Sequence, residues 1–99
     1  MSARITIDRE RVAEFCRRHQ VRRLALFGSV LRDDFRPDSD VDVLVEFAPD
    51  AHAGLFEMAR MEDELAEVIG RRVDLRTPAE LSRYFRDEVV AGAETQYAA

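Results

Sequence analysis

Lysine is absent: all 15 basic residues are arginine. That excludes chemistry built on a lysine amine, from Schiff bases to the lysine of a P-loop. Arginine is left as the only cation to meet phosphate, and its planar fork does so with paired hydrogen bonds. A GC-rich genome explains the absence more simply than any functional cause. Cysteine is nearly absent too, and Cys16 alone forms no internal disulfide. It lies on an apolar helical face and is expected in the core. No apolar run approaches the ~20 residues that a membrane span needs. The opening residues MSARITIDRERV lack the apolar stretch of a signal peptide. A cytoplasmic protein without membrane contact is expected. Net positive charge is missing as well. The formal charge is −5, which disfavours nucleic acid as the main partner, because a net basic face normally holds phosphate backbones. His19 and His52 fit no zinc-ligand spacing.

What is present suits one small folded unit. A chain of 99 residues with 46% hydrophobic content argues for a single domain, residues 1–99, around one modest core. At that size a partner or a hetero-oligomer is expected to add stability. Residues 8–19 read as a helix, with Val12, Phe15, Cys16 and His19 on one face. Residues 22–27 form a short apolar strand stopped by Gly28, and residues 29–33 one helical turn. The polar stretch 33–39 contains Pro37 and reads as a loop. Val41 to Phe47 is a β-branched strand. Residues 55–69 carry Leu55, Met58, Met61, Leu65, Val68 and Ile69 on one side, and Gly70 stands where such a helix stops. Residues 72–76 form a third strand. Thr77-Pro78-Ala79-Glu80 is a capping box predicted to open a last helical region carrying Leu81, Tyr84, Phe85 and Val89. The fold class is therefore α/β, a small mixed sheet flanked by helices.

The chemistry is concentrated in Leu26-Phe27-Gly28-Ser29 and Pro37-Asp38-Ser39-Asp40-Val41-Asp42. Asp40 and Asp42 are two apart at the start of a strand, so both carboxylates leave the same face. Their Cα atoms are then about 6.6 Å apart, from about 3.3 Å of rise per residue. Two acids so placed repel each other unless they share a hard cation such as magnesium. Gly28 lets a ligand approach the backbone, and the N–H groups of a strand-to-helix turn, with the Ser29 hydroxyl, suit phosphate. Asp74 lies between two apolar residues of the third strand. If that strand pairs beside the second, Asp74 joins the face of Asp40 and Asp42, as two-metal phosphoryl displacement requires. Taken singly, each acid has a plainer use. Asp40 and Asp42 suit a loop-end cap and a solvated acid, Asp74 suits pairing with Arg71, Arg72 or Arg76, and Arg32 suits the surface. An EF-hand is excluded: counting from Asp38, Val43 stands where glycine is needed and Pro49 where glutamate is needed.

This pattern resembles the nucleotidyltransferase superfamily with the DNA polymerase β-like fold. Within it, the chain is similar to the minimal nucleotidyltransferases, the antitoxin halves of pairs with HEPN-domain RNase toxins. The matching positions are Gly28-Ser29, Arg32, Ser39-Asp40-Val41-Asp42 and Asp74. The resemblance implies Mg2+ held by Asp40, Asp42 and Asp74, with all three in catalytic roles. It implies ATP bound by Gly28, Ser29, Arg32 and Ser39, and AMP transfer to a tyrosine hydroxyl of a partner HEPN toxin. Ser39 also suits bracing the Asp40 turn. Where such chains often read Gly-Ser-Arg-Ala-Arg-Gly, this one reads Gly28-Ser29-Val30-Leu31-Arg32-Asp33, which adds negative charge beside the expected phosphates. That departure suits a rival reading, an antitoxin that masks its toxin by binding without transfer.

Overall fold

The computed structural model describes residues 5–32 and 35–99. Helix α1 (Arg9–Arg18) starts because Asp8, extended, accepts hydrogen bonds from the N–H groups of Glu10 at 3.1 Å and Arg11 at 3.2 Å. Arg17 and Arg18 in its last turn complement the helix dipole. Replacing Asp8 by alanine should cost about 1 kcal/mol in urea denaturation and leave the site untouched. Strand β1 (Val21–Phe27) runs into a 3-10 turn (Gly28–Leu31), and β2 (Val41–Phe47) returns antiparallel beside it. Helix α2 (Leu55–Ile69) stops at Gly70, whose φ of 79° is the left-handed value that glycine adopts freely. It carries the chain over to β3 (Val73–Arg76), parallel to β2, the crossover that a parallel pair requires. Helix α3 (Arg86–Gly92) and strand β4 (Glu94–Ala98) follow, and the sheet order is β3-β2-β1-β4.

Strand alternation divides the sheet into two faces. Leu24 and Leu26, Val41, Val43 and Val45, and Val73 and Leu75 point to one of them. There they pack against Val12, Phe15 and Cys16 of α1 and Met61 and Leu65 of α2. Burial pushes the Cys16 thiol up to about 12, so it is an inert core group. His19 lies against the Phe15 ring, and its Nε2 is 3.1 Å from Glu64 Oε1, which joins α1 to α2. The alternate residues of β2 and β3, Asp42 and Asp74 among them, face away from this core.

Two elements depart from the sequence reading. The segment after Thr77 is not one helix. The capping box is formed, with Glu80 Oε1 accepting from the Thr77 N–H at 2.9 Å, but it closes only a 3-10 turn (Pro78–Glu80). Leu81 is extended, and Arg86 donates to its carbonyl at 2.9 Å, so a side chain satisfies what a longer helix would have. Tyr84 is 84% exposed, so the expected apolar stripe meets no core. The second departure is β4, an edge strand antiparallel to β1. Its sequence is polar, and Gln96 is its buried residue. Leu55 also differs: at the first position of α2 it is 85% exposed, beyond the reach of the core that takes Met61 and Leu65.

Candidate active site

β1 delivers the chain to the site and Gly28 turns it. Gly28 has a φ of 75°, and a Cβ built there would overlap Asp42 Oδ2 and stand 3.1 Å from Asp42 Cγ. Glycine is therefore required twice, for the backbone and for the carboxylate that rests against it. The turn is closed by the Arg32 N–H donating to the Ser29 carbonyl at 2.9 Å. Across the sheet Phe27 pairs with Asp42, and Asp42 pairs in register with Asp74 on the parallel strand. The pairing on which Asp74's place depended is thus present, and Gly28, Asp42 and Asp74 line up across three strand ends. Neighbouring strands are about 4.8 Å apart, a spacing that two carboxylates can bridge through one cation.

The electrostatics of this row are unfavourable by themselves. The Asp42 carboxyl is held above its ordinary range, first by burial, then by Asp74 and Asp40, against smaller opposing effects of Arg32 and Arg76. The two outer acids are paired with arginine. Arg72 Nε is 3.1 Å from Asp40 Oδ1. Arg76 Nε donates to Asp74 Oδ1 at 2.9 Å, and its terminal nitrogen to Oδ2 at 3.4 Å. Among the described residues, the acids do not form a closed three-ligand cluster. The donor set nonetheless fits a hard divalent cation. The carboxylates of Asp40 and Asp74 flank the half-buried Asp42, whose charge is disfavoured by burial and by these two acids, beside a glycine turn that any Cβ would fill.

Ser39 does the bracing that its chemistry allows. Its Oγ accepts from the Arg36 N–H at 3.2 Å, fixing the turn ahead of Asp40. Arg71 and Arg72 hold the same loop from the other side. Arg71 donates to the carbonyls of Arg36 at 2.8 Å and Pro37 at 2.6 Å, and Arg72 to that of Asp38 at 3.0 Å. Sequence reasoning missed this role, although the arginine doublet between α2 and β3 was its visible signal. Two clefts flank the row. One of about 410 Å³ lies beside Gly28 and Arg32, walled by Phe85 and Val89. The other, of about 500 Å³, lies beyond Asp74 against Leu55 and Met58. Asp33, expected to weigh on the phosphates, lies outside the described residues.

The family model for the nucleotidyltransferase domain matches residues 9–94, which include Gly28 and the three carboxylates. The chain belongs to the nucleotidyltransferase domain family. The protein adenylyltransferase MntA of Thermococcus cleftensis is 39% identical over 62 residues, which span 63% of this chain and 61% of that one. A solved candidate minimal nucleotidyltransferase superposes with a TM-score of 0.69 at 38% identity, over 86% of this chain and 85% of that one. The fold also matches, with a TM-score of 0.65 at 20% identity over 92% of this chain and 70% of the other, a chain from the complex of tri-AMPylated Shewanella oneidensis HEPN toxin with MNT antitoxin. The expected fold class, a mixed sheet flanked by helices, is the one these nucleotidyltransferases share. Among the described residues, no helix is long and apolar enough to cross a membrane.

Proposed function

We propose that this nucleotidyltransferase is a single-domain antitoxin that moves AMP from MgATP to a tyrosine hydroxyl of a HEPN-type RNase toxin in the cytoplasm and so neutralises it. The observation that carries the reading is the register of Asp42 with Asp74, with Gly28 packed against the Asp42 carboxylate. Asp40, Asp42 and Asp74 are the residues that would hold Mg2+. When bound, that ion supplies charge neutralisation on the phosphoryl oxygens. The backbone of Gly28-Ser29 receives phosphate, Arg32 adds a cation to it, and Ser39 keeps Asp40 in place. Asp74 takes the proton of the attacking hydroxyl. The hydroxyl oxygen forms a bond to the α-phosphorus, the bond from that phosphorus to the bridging oxygen breaks, and pyrophosphate leaves. The names of the relatives support the donor and the acceptor class: one is a protein adenylyltransferase, and another is an antitoxin solved with its AMPylated HEPN toxin.

The test is to incubate the chain with labelled ATP, Mg2+ and a HEPN toxin from the same genome. Label on the toxin, lost on changing its acceptor tyrosine to phenylalanine, is the expected result. An unlabelled toxin overturns the reading. The ion pairs on Asp40 and Asp74 favour a second reading, in which the chain masks the toxin without transfer. An Asp40→Ala chain separates the two. It should fail to neutralise if transfer is the mechanism, and neutralise fully if masking is.

A further inference from the structure

Both oxygens of Asp74 are engaged by one side chain. Arg76 follows it by two positions on β3, so the two leave the same face, and the guanidinium fork meets the carboxylate edge with its bonds of 2.9 and 3.4 Å. That edge is what a divalent cation would take. The fork is also able to leave. The Arg76 side chain is 46% exposed, and Glu80 and Glu62 stand near enough to stabilise its charge. In this structure those acids are otherwise occupied: Glu62 accepts from the Leu75 N–H at 2.8 Å, and Glu80 from Thr77. Neither therefore draws Arg76 off Asp74. The pair on the other outer acid differs. Arg72 reaches Asp40 through one nitrogen, and the two side chains are 78% and 52% exposed, so water screens that contact.

We propose that Arg76 is a displaceable counter-ion of the metal centre. Its guanidinium and a divalent cation compete for the two oxygens of Asp74, so Arg76 lowers the affinity for the free cation while keeping the carboxylate oriented. It is a positioning residue that acts through Asp74. The inference rests on Asp42 and Asp74 being the metal-holding pair. It carries an unusual sign: removing this arginine strengthens cation binding. A cation arriving with a triphosphate brings its own phosphate ligands and displaces the fork more readily than the free ion does.

The experiment is a titration with Mn2+ alone, followed by the loss of its free-ion paramagnetic resonance signal, on the wild-type chain and on Arg76→Gln, Arg76→Lys, Arg72→Gln and Asp42→Asn. Arg76→Gln should bind about fivefold tighter, as expected for losing a half-exposed forked pair. Arg76→Lys should fall between it and wild type, because it keeps the charge and loses the fork. Arg72→Gln should stay within about twofold of wild type. Arg76→Gln binding at or below wild-type affinity overturns the proposal. So does Arg76→Lys matching wild type, which would assign the effect to net charge alone. Asp42→Asn should abolish binding. If it does while the Arg76 variants change nothing, only this inference fails. If Asp42→Asn binds Mn2+ like wild type, the metal reading fails and takes the inference with it.

Discussion

Gly28→Ala will lose about 2–5 kcal/mol of stability and at least about a hundredfold of AMP transfer. Two costs add. An L-residue at a φ of 75° carries roughly 1–2 kcal/mol of backbone strain. The new methyl also meets the Asp42 carboxylate, and overpacking of that kind costs about 1–3 kcal/mol. The activity loss follows because the methyl is relieved only by moving Asp42, the acid at the centre of the row, and each 1.4 kcal/mol lost from the transition state is about tenfold in rate. Gly70 separates the two costs. It has a φ of 79° with nothing within 4 Å of its absent Cβ, so Gly70→Ala should cost the backbone strain alone. Urea denaturation of both variants measures the difference. A double change, Gly28→Ala with Asp42→Ala, should recover most of the excess. Gly28→Ala with wild-type stability would refute the close packing of turn and carboxylate.

Asp42→Asn should abolish transfer and leave the protein at least as stable as wild type. Losing the proposed central metal ligand removes several kcal/mol of charge stabilisation, about a thousandfold or more in rate. The effect on the fold has the opposite sign. Burial and the fields of Asp74 and Asp40 raise the Asp42 pKa above its unfolded value, so its ionised form at neutral pH opposes folding. Asparagine keeps the shape and discards that charge. The melting temperature without divalent cation should match or exceed that of wild type, while labelled transfer falls to background. A variant that loses activity together with stability would mean that Asp42 is a structural acid. Sites that trade stability for function behave in the way predicted here.

Most of the scaffold is legible from residue order because its signals are local. The 3.6-residue recurrence of Val12, Phe15, Cys16 and His19, the β-branched run Val41–Phe47, and the stop at Gly70 are each decided by neighbours in sequence. The last third is less legible. Leu81, Tyr84 and Phe85 have helical spacing, but Arg86 ties back to the Leu81 carbonyl and the segment folds as turns. β4 was invisible because an edge strand takes its order from its partner. Arg23 donates to Thr95 Oγ1 at 2.9 Å and to the Val90 and Ala93 carbonyls at the end of α3, contacts that no period in Glu94–Ala98 announces.

The site divides along the same line. Alternation alone puts Asp40 and Asp42 on one face, and a glycine after a strand marks a turn fit for phosphate, because both depend on residues a step or two apart. Tertiary structure was needed for everything that crosses strands. The parallel register set Asp74 beside Asp42, and the φ of Gly28 brought its missing Cβ against that carboxylate. In sequence Arg71, Arg72 and Arg76 were equal candidates to pair with Asp74. Folding gave Arg76 to Asp74, Arg72 to Asp40 and Arg71 to the carbonyls of the loop before β2. A long flexible cation takes whichever acceptor the packed backbone brings within reach, and residue order does not encode that distance.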